Sequence, residues 1–158
     1  MNDRMVKPEV SDFGSVDPAP PTAIQSLEEL NIILTNEDAK MFDRMRAVFS
    51  LRNNGSKESV LILSQGFNSN SALLKHEIAY VMGQMQNESA IEFLVERLED
   101  ENEHVMVRHE AAEAIGAIGS ISTKPILEKF LNHDLPEISE SCEVALGLLS
   151  HYNDELFD

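Results

Sequence analysis

Apolar residues along most of the chain recur at the three- and four-residue spacing of a helix that buries one face. The spacing begins with Ile24, Leu27, Leu30 and Ile33, which fall on one side of a helix of 3.6 residues per turn. No segment alternates apolar and polar residues for long enough to indicate a half-buried strand. The pattern therefore predicts an all-α fold from residue 22 onward.

Two strings within this helical region repeat the same order of apolar and polar residues. LLKHEIAYVMGQM and MVRHEAAEAIGAI start 33 residues apart, and each contains a His-Glu pair, His76-Glu77 and His109-Glu110. Weaker copies on either side, MRAVFSLR and ESCEVALG, keep the apolar register without the pair. A repeat of this length is the signature of an array of stacked units.

Turn-prone stretches rich in Asn, Ser and Gly divide each unit into a pair of helices. Stacked helix pairs of this length form a HEAT-like helical-hairpin solenoid, in which each unit buries its apolar face against its neighbours. We assign residues 22–150 to this array. The predicted helices span residues 39–53, 57–67, 72–85, 88–100, 105–118, 122–132 and 137–150.

Both ends of the chain lack the helical pattern. Residues 1–21 contain four prolines among polar and acidic residues, a composition typical of a flexible or disordered tail. Residues 151–158 are polar and acidic, and we expect them to form a C-terminal tail or a linker.

Charge and cysteine content narrow the classes of function. Twelve Lys and Arg against 28 Asp and Glu give a net charge of −16, which repels nucleic-acid phosphates and favours basic partners, although solubility alone also explains such a charge. Cys142 is the one cysteine in 158 residues, so intrachain disulfides are excluded. Without an apolar run of about 18 residues or an apolar N-terminal leader, we expect an intracellular, cytoplasmic protein with no membrane partner.

The His-Glu pairs indicate a metal site because they occupy one repeat position. Equivalent residues in neighbouring stacked units stand roughly 10 Å apart on one surface, so their side chains can converge. Imidazole and carboxylate together suit iron, zinc or manganese. A duplicated packing motif is the other interpretation, but the flanking units keep the apolar register without His-Glu.

Two further residues share the helix face of the histidines, because each lies four positions later. Tyr80 follows His76 and Glu113 follows His109. Either side chain could orient a metal ligand through a hydrogen bond, and Glu113 could also contact a cationic substrate. His104, His133 and His151 stand alone and are expected to be exposed.

The two His-Glu strings and their spacing closely resemble deoxyhypusine hydroxylases, from about residue 42 to residue 149. The resemblance implies a HEAT-repeat enzyme whose two similar halves each contribute two His-Glu motifs to a di-iron centre that activates O₂. It further implies Fe(II) as cofactor and a deoxyhypusine side chain on a translation factor as substrate, converted to hypusine. By this resemblance His76, His109 and Glu110 are ligands of one iron, and Glu77 orients a ligand or contacts the substrate amine.

The chain supplies two His-Glu motifs where the family pattern has four, so it resembles an N-terminal half. Three explanations follow: a fragment of a longer protein, a half that pairs with a second copy by two-fold symmetry, or a remnant that only binds the factor. A non-catalytic HEAT-repeat interaction scaffold is the alternative function. A phycobilin lyase-type repeat protein ranks last, because chromophore attachment does not require paired His-Glu.

Overall fold

The computed structural model describes residues 6–153, and all regular elements in that range are helical. The prediction of an all-α helical-hairpin array is confirmed. Short 3₁₀ turns at Gly66–Asn68, Glu88–Ala90 and Ile121–Thr123 lead out of or into the longer helices. The α-helices are α1 (Leu27–Thr35), α2 (Met41–Asn54), α3 (Lys57–Gln65), α4 (Ala72–Met85), α5 (Ile91–Glu99), α6 (Val105–Ile118), α7 (Lys124–Lys129) and α8 (Pro136–Tyr152).

Helices α2, α4, α6 and α8 pack side by side in chain order and form one layer of the solenoid. The partner helices pack against this layer, α1 and α3 on α2, α5 on α6, and α7 on α8. The buried apolar side chains form one continuous core between the layers. The repeats therefore bury their apolar faces against each other. Separately, no helix in residues 6–153 has the length and hydropathy to cross a lipid bilayer.

Two glycines allow the helices of the first layer to approach closely. A Cβ atom on Gly83 would lie 3.1 Å from the Cα of Ala114, and one on Gly116 would lie 2.8 Å from the Cβ of Ala145. These glycines therefore allow close packing between neighbouring helices of the layer. Helix α6 ends at Gly119, whose φ of 80° is in the left-handed region that glycine adopts without strain.

Buried arginines stand at one repeat position in alternate units, and each bonds to the helix that precedes its own. Arg44 Nε donates to the carbonyl oxygen of Leu34 at 3.0 Å, and Arg108 Nε donates to that of Leu98 at 3.0 Å. Each arginine thus satisfies a carbonyl at the end of the preceding helix, which has no partner within its own helix. In both units this bond fixes the first turns of the helix that carries the arginine. In α6 that arginine, Arg108, directly precedes His109.

In α4 the repeat position of these arginines is occupied by Lys75, which forms an ion pair with Glu103 at 2.7 Å. Burial raises the pKa of Glu103, but hydrogen bonds from Lys75, from the backbone of His104 and from Arg97 outweigh it and hold that pKa below its usual range. The pair joins the start of α4 to the residues that precede α6. It therefore fixes the two helices that carry His-Glu pairs relative to each other.

The N-terminal segment packs against the array, which its composition does not predict. Residues 1–5 of the expected tail lie outside the described residues, and residues 6–21 form no helix. However, Asp17 pairs with the buried guanidinium of Arg52 at 2.7 Å, the Phe13 ring lies 4.4 Å from the same guanidinium, and Ala19 is buried. At the other end, His151 and Tyr152 continue α8 rather than begin a tail, and residues 154–158 lie outside the described residues.

Candidate metal centre

The two His-Glu pairs occupy the same depth in two adjacent helices. His76 is the fifth residue of α4 and His109 is the fifth residue of α6. Both helices start at a side-chain cap, because Ser71 Oγ accepts from the backbone N–H of the third helical residue and His104 Nδ1 accepts from that of the second. The shared starting geometry places both pairs in the second helical turn, on helices that pack directly together.

Glu110 lies between the two histidines. Its Oε2 is 3.1 Å from Nε2 of His76 and 3.8 Å from Nε2 of His109. The Glu110 side chain is 10% exposed, while those of His76 and His109 are 28% and 25% exposed. The structure therefore brings Glu110 into contact with both histidines, with the carboxylate mostly buried and both imidazoles partly exposed.

The two remaining glutamates occupy different positions around the histidines. Glu113 Oε2 lies 3.8 Å from Nε2 of His109, and donor atoms of His109, Glu110 and Glu113 fall within 4.8 Å of one another. Glu77 Oε1 instead lies 3.6 Å from Nδ1 of His76, on the far side of that ring. Glu113 is thus close enough to serve as a further metal donor, whereas Glu77 does not lie between the histidines.

Tyr80 has a hydrogen-bond partner other than the histidine that precedes it by one turn. Its hydroxyl lies 3.4 Å from Nε2 of Gln84, one further turn along α4. Among the described residues, none of its hydrogen bonds reaches His76. No hydrogen bond therefore supports the orienting role that was predicted for Tyr80. The ring instead lines a groove together with both glutamates of the cluster and the α8 side chains Val144, Ala145 and Leu148.

Ser141 is a site residue that sequence reasoning missed. Its Oγ lies 2.6 Å from Nδ1 of His109, and its side chain is buried. The available signal was the repeat register, because Glu140-Ser141 takes the place of the His-Glu pair in the last unit. The contact itself depends on the distance between α6 and α8, which the register does not specify.

The carboxylates around His76 favour its protonated form. The hydrogen bond with Glu110, and next the one with Glu77, raise the pKa of His76 to about 10, against the opposing effect of burial. The metal-free imidazole is therefore protonated at neutral pH. Metal binding through its Nε2 requires that this proton leave.

The distances from Glu110 Oε2 to the two histidines fit donors that share a metal ion. Bonds of about 2.1 Å place two donors roughly 3.0 Å apart when they meet at a right angle and roughly 4.2 Å apart when they are opposite. The separations of 3.1 and 3.8 Å around Glu110 Oε2 lie between these limits. The donor atoms that all lie within 4.8 Å of one another belong to His109, Glu110 and Glu113, and His76 joins this group through its contact with Glu110. Imidazole nitrogen with carboxylate oxygen is a donor set suited to iron, zinc or manganese.

The other candidate groups lie apart from this cluster. His104 and His133 each accept a backbone N–H through Nδ1, and His151 stacks edge-on against the neighbouring tyrosine ring. His104 and His151 are exposed as expected, whereas His133 is half-buried. Burial raises the pKa of the Cys142 thiol to about 11, which makes it an unreactive core residue.

Comparison with known proteins agrees with the repeat and with the two His-Glu strings. The family described as HEAT repeats matches residues 60–147. Deoxyhypusine hydroxylases from Danio rerio and Candida albicans are 48% and 46% identical, each over 92% of this chain and over 48% and 47% of the relative. The structure titled human deoxyhypusine hydroxylase in complex with glycerol superposes with a TM-score of 0.87 at 41% identity, covering 92% of this chain and 50% of that one. The resemblance is confirmed, and the chain spans about half the length of the relatives that it matches.

Proposed function

The chain belongs to the HEAT-repeat family and is similar to deoxyhypusine hydroxylases over 92% of its length, and from this premise we propose that it forms one iron-binding half of a deoxyhypusine monooxygenase. The reaction is the O₂-dependent hydroxylation of deoxyhypusine to hypusine on a translation factor. The observation that carries the proposal is the placement of Glu110 Oε2 between the Nε2 atoms of His76 and His109.

In this proposal the protein holds Fe(II) through His76, His109 and Glu110. Glu113 is near enough to join them or to hold a water molecule beside them, since its Oε2 lies 3.8 Å from His109. Bound iron would activate O₂, which is the oxidant that hydroxylation of an unactivated carbon requires. A second half, on a longer chain or on a second copy, would complete a di-iron centre from its own His-Glu motifs.

Glu77 has a different role in the proposal. Its carboxylate contacts the side of the His76 ring that faces away from Glu110, and its side chain is 16% exposed. From there it can fix the orientation of His76 through Nδ1, or accept a hydrogen bond from a protonated substrate amine. Both roles leave the metal to the other glutamate.

The groove beside the cluster suits a long cationic arm. Val144, Ala145 and Leu148 provide an apolar wall on α8, while Glu110 and Glu113 provide negative charge in the same groove. Methylene groups of the arm would lie along the apolar wall, and its amines would face the carboxylates. A net charge of −16 also favours approach of a basic protein partner.

Anaerobic titration with Fe(II) tests the ligand assignment. We expect His76→Ala, His109→Ala and Glu110→Gln each to remove most iron binding with the helical circular dichroism unchanged. His133→Ala is the matched control, because His133 lies outside the cluster. This variant should bind iron like the unaltered chain. Iron uptake that survives both histidine substitutions would show that the pairs are not ligands.

A non-catalytic scaffold is the alternative, and one observation favours it. The His76–Glu110 contact is a satisfied ion pair without any metal, so the cluster is also explicable as a link between α4 and α6. A scaffold would bind its partner equally well with and without Fe(II). It would lose binding when exposed acidic residues outside the cluster are neutralised.

A further inference from the structure

We propose that Ser141 is a positioning residue that holds His109 in the tautomer with the proton on Nδ1, so that the lone pair of Nε2 points toward Glu110 and Glu113. The tautomer follows from hydrogen bonding alone. Its consequence for metal binding rests on the proposed function.

The two contacts of the Ser141 hydroxyl determine which group donates. Its Oγ lies 2.6 Å from the carbonyl oxygen of Glu137, one turn earlier on α8, and 2.6 Å from Nδ1 of His109. A carbonyl oxygen only accepts, so the single hydroxyl proton points to Glu137. The oxygen is then left with lone pairs toward His109, and Nδ1 must be the donor.

Within residues 6–153, the polar contacts of the other ring nitrogen are with carboxylates, which accept. Nε2 of His109 lies 3.8 Å from a carboxylate oxygen of Glu110 and 3.8 Å from one of Glu113. In a neutral imidazole the proton can occupy one nitrogen only, and the shorter contact is the one with Ser141. The serine therefore leaves the nitrogen that faces the cluster free to donate its lone pair.

The repeat register explains why a serine stands here. Glu110 on α6 contacts His76 on α4, and Ser141 on α8 contacts His109 on α6 from the same repeat position. The two contacts differ in the nitrogen reached, since the carboxylate meets Nε2 and the hydroxyl meets Nδ1. The last unit thus supplies an orienting hydroxyl where the unit before it supplies the carboxylate between the histidines.

The packing of α8 keeps the serine at this distance. Ala145 follows Ser141 by one turn of α8. Because Gly116 has no side chain, the backbone of Ala145 can approach α6 closely. The buried position also shields the Ser141 hydroxyl from water that would compete for its lone pairs. Both features restrict His109 to one ring orientation before any metal arrives.

The test is ¹⁵N NMR of the histidine rings in the metal-free chain at alkaline pH, where an ordinary imidazole is neutral. His109→Gln identifies the His109 signals. We expect a protonated Nδ1 and an unprotonated Nε2 in the unaltered chain, and loss of this preference in Ser141→Ala. Ser139→Ala on the same helix is the control and should leave the tautomer unchanged.

Fe(II) affinity gives the second readout. Loss of an orienting partner typically weakens metal binding about 10- to 100-fold, and we expect this loss in Ser141→Ala, no change in Ser139→Ala, and recovery in Ser141→Thr. A His109 ring protonated on Nε2 in the unaltered chain overturns the proposal, and so does a tautomer that Ser141→Ala leaves intact. If the unaltered chain binds no Fe(II), the proposed function fails, while the NMR result still decides the role of Ser141.

Discussion

Replacing Gly116 with alanine should force α6 and α8 apart. The added Cβ would lie 2.8 Å from the Cβ and 2.9 Å from the Cα of Ala145, whereas carbon atoms in contact are normally about 3.5–4.0 Å apart. The obstructing atoms belong to a short side chain and to backbone, which cannot rotate away. The two helices must therefore separate by a large fraction of an ångström.

Gly147 provides a matched comparison, because it lies in α8 and its Cβ would meet nothing within 4 Å. Both substitutions gain the helix propensity of alanine, about 1 kcal/mol, and only Gly116→Ala adds overpacking, typically about 1–3 kcal/mol. We expect Gly147→Ala to raise the free energy of unfolding by up to about 1 kcal/mol. Gly116→Ala should fall about 1–3 kcal/mol below it.

Urea unfolding followed by circular dichroism measures both free energies under one condition. A chain of this size shifts its Tm by roughly 2–4 °C per kcal/mol, so thermal unfolding resolves the same difference. Equal stabilisation by the two alanines would refute the argument that Gly116 is required for the close approach of α8. It would also remove the support that this packing gives to the Ser141–His109 contact.

Three further predictions concern charge and the N-terminal segment. The metal-free chain should lose the stability that protonated His76 contributes as the pH rises from about 6.5 to about 10, because the pKa of His76 is about 10 in the folded chain and 6.5 ordinarily. Urea midpoints measured against pH for the unaltered chain and for His76→Gln check this. A difference between the two midpoints that stays constant with pH would contradict it. Fe(II) binding near pH 7.5 should release about one proton from His76, which calorimetry in buffers of different ionisation enthalpy measures; a buffer-independent enthalpy would be the opposite result. Asp17→Ala should lower the free energy of unfolding by about 3 kcal/mol, because it leaves Arg52 buried without its carboxylate, while Asp12→Ala at an exposed site should not; unfolding curves that coincide would contradict the anchoring of this segment.

The repeat register allowed most of the fold to be predicted from sequence. The helix that begins at residue 72 and the one at residue 105 match the predicted bounds, because each follows a polar cap and keeps the apolar spacing to its end. The predicted helix over 122–132 is shorter, Lys124–Lys129, because Ile121–Thr123 forms a 3₁₀ turn and the chain leaves helical geometry at Phe130. Local pattern therefore decides the elements more reliably than their last turns.

The site was predictable only as far as the register reaches. His76, His109 and Glu110 share a repeat position or neighbour it, so stacking alone brings them together. Ser141 required the distance between α6 and α8, which depends on a missing side chain at Gly116. Contacts between residues far apart in sequence are set by tertiary packing that a pattern of polar and apolar residues does not encode.

The anchoring of the N-terminal segment was missed for the same reason. Arg52 sits in the last turn of α2, where a basic residue is ordinarily exposed and interacts with the helix dipole. Its burial is explained by Asp17, a carboxylate 35 residues earlier, and by Gln84 on α4. A stretch rich in proline gave no sign that one of its acidic residues would fill this position.

Native mass spectrometry after anaerobic loading with Fe(II) decides whether the His-Glu pairs bind iron, because one spectrum reports both bound iron and subunit number. We expect one iron for each chain, retained in His133→Ala and lost in His109→Ala. A dimer with two irons would further indicate that two copies complete one centre. A chain that carries no iron in any oligomeric state, or one that keeps its iron without His109, would contradict the assignment of the His-Glu pairs as a metal site.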